Sequence, residues 1–345
     1  MVKRVLVIQT AKIGDLVCTT PVFREIKKKF PSCRLSVLVT SRTKDILKNN
    51  PRVDETILID DYPKIGDKFK LFGKLRREKY DWALSVFPSS FNSIIGFWSL
   101  IPCRITTIHR QTGEIAGLYS FFNNYRLKYQ RHDSVEKHHL DLLKFMGIKA
   151  SSEEKEMFVR SEEEKKALDF LERQNLSVND LLIGVSVTSG LKIKEWEQSQ
   201  FAALSDKLIE GLGAKIIFIG GADDQKVIGE IQKTMKNNAV CAAGLFKLNE
   251  LAALFKKMKL FISVDSGPLY IADAVATPVI DIFGPSDIKE VHPTGQNNRI
   301  LRKDIACAPC SFMFEGPRFC KEGHSRCLKE ITPEEVFNAA RDLIK

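Results

Sequence analysis

Two kinds of segment alternate along this chain. Short apolar, β-branched runs recur at residues 4–9 (RVLVIQ), 35–39, 56–59, 81–86, 181–187 (LLIGVSV), 215–219 (KIIFI), 260–264 and 279–283. Runs of this length between turn residues read as strands buried on both faces. Longer segments at 16–30, 64–79, 162–174, 199–210, 248–258 and 269–275 read as helices. The closing segment 331–345 (ITPEEVFNAARDLIK) is a capped amphipathic helix, with Thr332 as N-cap and Pro333 in its first turn. A β/α alternation of this kind predicts parallel sheets and an α/β fold. The segment 132–147 (HDSVEKHHLDLLKFMG) predicts a helix that closes on a glycine, with His138 and His139 on its surface. Residues 93–101 (SIIGFWSLI) are too short to span a bilayer, and a core helix is favoured there over an interfacial patch. The stretch 104–131 gives no clear element order.

At 345 residues the chain has room for two domains of ordinary size. The highly charged stretch 151–164 reads as the start of a linker region and a helix follows it, so the expected boundary lies near residue 175. The domains expected are therefore 1–175 and 176–330, followed by the helix 331–345. Composition, with 44% hydrophobic and 28% charged residues, is that of a globular protein. No run approaches the ~18–20 apolar residues of a membrane span, and the opening MVKRVLVIQT is too short in apolar residues for a signal peptide. A cytoplasmic location is expected.

The net charge of +10 is unevenly placed. Residues 1–150 carry 27 Lys and Arg against 14 Asp and Glu, whereas the remainder carries 26 against 29. A basic first half suits an acidic substrate or an anionic membrane surface. No nucleic-acid-binding motif accompanies it. Residues 64–79 concentrate seven basic side chains among Phe69, Leu71, Phe72 and Leu75, the pattern of a basic amphipathic helix. Its polar face is either simply solvated or laid on lipid.

The richest stretch is 260–287, LFISVDSGPLYIADAVATPVIDIFGPSD. It reads as strand, loop, helix and strand, with Asp265, Ser266, Gly267 and Pro268 at the loop. Loops at the carboxyl ends of parallel strands are where ligands bind in open α/β sheets. The Ser266 turn, at a helix start, offers amides and a dipole to a phosphate, although it would serve equally as an ordinary cap. After the strand at 181–187 come Thr188, Ser189, Lys192 and Lys194, hydroxyls and ammonium groups that suit a diphosphate. Past the strand at 215–219, Asp224 is placed to take ribose hydroxyls, with Asp223 as a cap. Near the amino terminus, Asp15 stands where the first helix begins, a good N-cap in its own right. The first loop lacks G-x-G-x-x-G, which argues against a dehydrogenase. Cys307, Cys310, Cys320 and Cys327 follow C-x2-C-x9-C-x6-C, a spacing that could hold structural zinc; disulfides do not suit a reducing cytoplasm.

These motifs together resemble the lipopolysaccharide heptosyltransferases, glycosyltransferase family nine. The resemblance is carried by Lys12-x-Gly14-Asp15-x3-Thr19-x-Pro21, by Lys194-Glu195-Trp196, and by Gly220-Gly221 with Asp224. It continues through Asp265-Ser266-Gly267 with Ala272, Ala274 and Pro278, and through Phe283-Gly284-Pro285-Ser286-Asp287. It spans nearly the whole chain and is weakest between residues 60 and 130. One departure is Tyr270, where the family usually has histidine. The resemblance implies two Rossmann-like domains facing each other across a cleft, the GT-B architecture, with the acceptor on the first and the nucleotide sugar on the second. It implies inverting transfer of heptose from ADP-heptose to the inner core of lipopolysaccharide at the inner-membrane surface, with Asp15 as general base. Thr188, Ser189, Lys194, Asp224, Asp265, Ser266, Gly267 and Tyr270 would face the donor. Lys12, Lys64 and Arg104 are candidates for the anionic acceptor, with His109, Arg110, Arg126, Lys128 and Arg131 unranked beside them. Nothing in the sequence calls for a divalent metal or other cofactor. The alternatives are a related transferase using another nucleotide sugar and a non-catalytic nucleotide-binding module.

Overall fold

The computed structural model describes residues 2–109 and 120–345. It divides into two compact units, Met1–Glu156 and Met157–Lys345. The first holds β1 (Arg4–Ile8), β2 (Arg34–Thr40), β3 (Glu55–Ile59), β4 (Trp82–Ser85), β5 (Cys103–Ile108) and β6 (Tyr125–Lys128). They form one sheet in the order β3-β2-β1-β4-β5-β6, parallel throughout. β1 runs down the middle, where Val5, Leu6 and Val7 are wholly buried, as a run apolar on both faces requires. Leu71, Phe72 and Leu75 of the helix Ile65–Glu78 cover one face of this sheet.

The second unit holds β7 (Leu182–Ser186), β8 (Lys215–Ile219), β9 (Val240–Cys241), β10 (Leu260–Val264), β11 (Val279–Ile282) and β12 (Asn298–Leu301). Their order is β12-β11-β10-β7-β8-β9, again parallel. Read from its other edge, this is the same arrangement as the first sheet. Each unit is thus a doubly wound Rossmann-like domain whose chain reverses direction across the sheet beside its first strand.

Several sequence expectations change. β5, β6, β9 and β12 were not expected: β5, β6 and β12 mix polar with apolar residues, and β9 is only two residues long. Thr107 of β5 is nevertheless buried, its hydroxyl 2.9 Å from His138 Nε2. His138 and His139 are 2% exposed each, not surface residues, because their rings find hydroxyl partners inside the unit. The helix expected at 16–30 is two helices, Ile13–Val17 and Thr20–Lys29, broken where the Thr19 hydroxyl donates to the Asp15 carbonyl. The helix Ser90–Trp98 is only half core: Ile95 is fully buried, while Phe97 and Trp98 at its end and Leu100 beyond it are exposed.

The division between units falls at Glu156 and Met157 rather than near residue 175. The helix Ser161–Arg173 packs on Leu248–Phe255 of the second unit. Asn249 Nδ2 donates to Glu163 Oε1 at 2.8 Å, and Lys166 Nζ stands 2.6 Å from Glu250 Oε2. The closing helix Pro333–Ile344 is capped by Thr332, and Trp196 Nε1 ties its approach by donating to the Ile331 carbonyl at 3.0 Å.

Candidate active site

In the second unit the loops after β7 and β10 meet at the strand-order reversal, the place where α/β sheets take ligands. Ser189 Oγ donates to the Asp265 carbonyl at 3.1 Å and so fixes one loop to the other. A cavity of about 700 Å³ opens on the β7 side, lined by Thr188, Ser189, Lys192, Glu195 and Asp224 among others. Thr188, Ser189 and Asp224 therefore line one cavity.

Asp265 is the hub behind it. The side chain is 7% exposed; Oδ2 takes Lys194 Nζ at 2.5 Å and the Ser286 hydroxyl at 2.8 Å, and Oδ1 takes the Tyr270 hydroxyl at 3.3 Å. Lys194, expected on phosphate, is thus held by a carboxylate, and the lysine lining the cavity is Lys192. Tyr270 is 6% exposed and faces the same carboxylate. Ser286 is a member of the network to which sequence reasoning gave no role, although it sits in the quoted F-G-P-S-D stretch.

Ser266 is the N-cap of the helix Gly267–Ala274, yet its side chain makes no capping bond. Its hydroxyl lies 2.9 Å from Ser263 Oγ instead. Ser266 is buried, while Gly267 and Pro268 are partly exposed, so the first-turn amides keep the positive helix end that an anion would use. Asp224, not Asp223, is the local cap: Gly221 N–H donates to its Oδ2 at 2.7 Å. A Cβ on Gly220 would lie 2.7 Å from that oxygen, which is why this turn needs glycine.

Beneath Asp265 lies a second carboxyl. Asp281, on β11 opposite Ser263, is wholly buried, and neither of its oxygens has a hydrogen-bond partner among the described residues. Burial first, and then the neighbouring Asp265 carboxylate, push its pKa well above the usual range; Lys194 works against them.

In the first unit the loop after β1 carries Asp15. One oxygen, Oδ2, accepts the Lys12 N–H at 3.1 Å, so the residue caps its own helix. Its backbone carbonyl accepts the Thr19 hydroxyl at 2.7 Å, and Gln9 Nε2 donates to that hydroxyl oxygen at 2.9 Å. His139 Nδ1 lies 3.2 Å from the same oxygen. The carboxylate is partly exposed. Asp15 is therefore both a cap and a group anchored from below.

The acceptor candidates fare unevenly. Lys12 and Lys64 are exposed. Arg104 donates to the carbonyls of Phe122, Ile101 and Pro102, which makes it a clamp on local backbone rather than a free anion receptor. Arg110 lies outside the described residues. No group of three or more His, Cys, Asp or Glu among the described residues is placed to hold a metal ion, so the zinc expectation is not supported. All four cysteines concerned are free thiols. Cys327 is buried in the core and its pKa is pushed up to about 11, chiefly by burial, while Cys320 Sγ accepts the Ser325 N–H at 3.4 Å.

Residues 68–315 match the family model described as Glycosyltransferase family 9 (heptosyltransferase). The chain belongs to glycosyltransferase family 9. This family 9 chain is 24% identical to a lipooligosaccharide heptosyltransferase 2 of Haemophilus influenzae, over 99% of both chains. It is 28% identical to a lipopolysaccharide heptosyltransferase 3 of Escherichia coli, over 79% of this chain and 81% of the other. In fold it matches the solved E. coli ADP-heptose lps heptosyltransferase II with a TM-score of 0.79 at 20% identity, over 99% and 98% of the two chains. Family membership makes the chain a glycosyltransferase of the heptosyltransferase type, on the fold shared with that structure.

Proposed function

We propose that this family 9 enzyme transfers heptose from ADP-heptose to the inner core of lipopolysaccharide, with inversion at the anomeric carbon. The observation that carries the reading is the junction of the β7 and β10 loops. There hydroxyls and an exposed lysine line a cavity in the second domain, and the Ser189–Asp265 bridge ties that cavity's loop to the turn before the uncapped helix start at Gly267. The names of the relatives supply the sugar and the acceptor class. In this reading the first domain holds the acceptor and the second the donor. ADP departs toward Thr188, Ser189 and the Gly267 amide, where fixed donors stabilise the charge that develops on it. Asp15 accepts the proton of the acceptor hydroxyl as the new glycosidic oxygen–carbon bond forms and the bond to ADP breaks. Asp265 acts through Lys194, and Asp224 stands within reach of a ribose. A lipid-linked acceptor sets the reaction at the cytoplasmic face of the inner membrane.

A panel of nucleotide sugars against Kdo-lipid A and heptosylated cores, read by mass, tests the reading. A mass gain of one heptose from ADP-heptose is expected. Transfer from a different nucleotide sugar would favour the alternative that Tyr270 raises, and ADP binding without transfer to any acceptor would favour a binding module.

A further inference from the structure

The first unit carries an exposed apolar surface to which the reading above assigns no role. Ile65, Phe69, Phe97, Trp98, Leu100 and Phe121 are between 39% and 72% exposed. They are not scattered. Ring contacts run from Phe69 to Phe72 at 6.1 Å, from Phe72 to Trp98 at 6.5 Å, from Trp98 to Phe97 at 6.1 Å and from Phe97 to Phe122 at 4.7 Å, beside Phe121. These ring contacts, running through the buried Phe72, join exposed rings on the helix Ile65–Glu78, the helix Ser90–Trp98 and the turn Ser120–Phe122. Contiguous apolar area of this kind marks an interaction surface rather than ordinary exposure.

Among the described residues the outward side of Ile65–Glu78 also meets no partner. A Cβ on Gly66 or Gly73 would meet no atom within 4 Å. Helical spacing sets Lys70, Arg76 and Arg77 on that side with Ile65 and Phe69, and all three basic residues are exposed. The helix and its caps hold seven basic residues against Asp67 and Glu78, with Lys70 3.7 Å from Asp67. At the other end of the patch, Arg126 lies 5.3 Å over Phe121. Exposed aromatic rings set among cations match the boundary of an anionic bilayer, where rings sit at headgroup depth and lysines meet lipid phosphates. A second copy of the chain would carry the same excess of positive charge to the contact, which disfavours self-association there.

We propose that this face docks the enzyme on an anionic lipid bilayer by shallow insertion of Ile65, Phe69, Trp98 and Leu100. The inference adds a docking surface to the reading above and rests on it only for the biological setting. Its chemistry stands independently.

The full chain is mixed with vesicles of phosphatidylglycerol and phosphatidylethanolamine, or of phosphatidylcholine alone, all free of saccharide. Co-sedimentation with the anionic vesicles is expected, weakening several-fold in high salt, with little binding to phosphatidylcholine. Of the three tryptophans, Trp196 is buried and Trp82 half-buried, so a blue shift of emission on vesicle addition reports Trp98. The F69S/W98S double variant is expected to lose at least tenfold in vesicle affinity. K70E/R77E is expected to lose preference for anionic lipid. Both leave transfer to a soluble, deacylated acceptor unchanged. Equal sedimentation of wild type and F69S/W98S, absence of the blue shift, or dimerisation that F69S/W98S abolishes would overturn the proposal. Vesicle binding by a protein that transfers no heptose would overturn the functional reading and leave the docking surface standing.

Discussion

Lys194 Nζ stands 2.5 Å from Asp265 Oδ2, joining the loop after β7 to the loop after β10. The lysine side chain is 17% exposed and the aspartate 7%, so the pair is shielded without being fully dry. The contact is a charge-assisted hydrogen bond, and it sets the lysine in register with the Ser189–Asp265 bridge.

Lys194→Met strands the Asp265 carboxylate with only hydroxyl partners. The expected loss is about 2 kcal/mol in urea unfolding, between the values for exposed and fully buried pairs. ADP affinity falls with it. K194M/D265N recovers most of the stability without recovering the affinity, which calorimetric titration with ADP would separate.

Asp281 keeps its proton in the folded state where the unfolded chain has already released it. Its raised pKa therefore costs stability as pH climbs above the ordinary aspartate range, at about 1.4 kcal/mol per pH unit until the folded-state group titrates. Asp281→Asn is expected to match wild type near pH 4 and to be the more stable protein at pH 7. Thermal unfolding across that range checks it; an unchanged difference between variant and wild type at both ends would refute the assignment.

The histidines act in the opposite direction. Burial holds His138 at about 4 and His139 at about 3, below the ordinary imidazole range. Their stabilising contribution is complete above about pH 6.5 and is lost as the pH falls, because the unfolded chain takes up protons that the folded chain refuses. Stability is expected to drop steeply between pH 6.5 and pH 4. His139→Gln should flatten that slope by about one proton.

Asp15→Asn keeps an oxygen for the Lys12 N–H and removes the basicity. Melting temperature should hold within about 1 °C, while kcat falls about 10²–10⁴-fold, the range for losing a general base. Asp15→Ala loses the cap as well, at about 1 kcal/mol. If Asp15→Asn turns over within a few fold of wild type, the residue is only a cap.

Much of this was legible in the residues. The apolar runs identified seven largely buried strands, since a strand covered on both faces cannot hide its composition, and also the edge strand β3, whose Ile57 and Ile59 are buried while Leu58 is exposed. Of the missed strands β6, β9 and β12 have four residues or fewer, and β5 carries polar residues that are satisfied from elsewhere, as Thr107 is by His138. The loops bearing Thr188, Asp224 and Asp265 were identifiable because parallel sheets put ligand loops at strand ends.

Sequence alone thus determined the α/β class, the family, the basic first half and the short list of loop residues, because periodicity, composition and motif spacing are local properties of the chain. Only the tertiary structure decided which partner each charge has. Lys194 went to Asp265, Arg104 to three carbonyls and Asp224 to its own cap, and Asp281 has no hydrogen-bond partner among the described residues. Lys194 and Asp265 are 71 positions apart and meet where the β7 and β10 loops come together, and burial sets the energies of such groups in a way no spacing along the chain encodes.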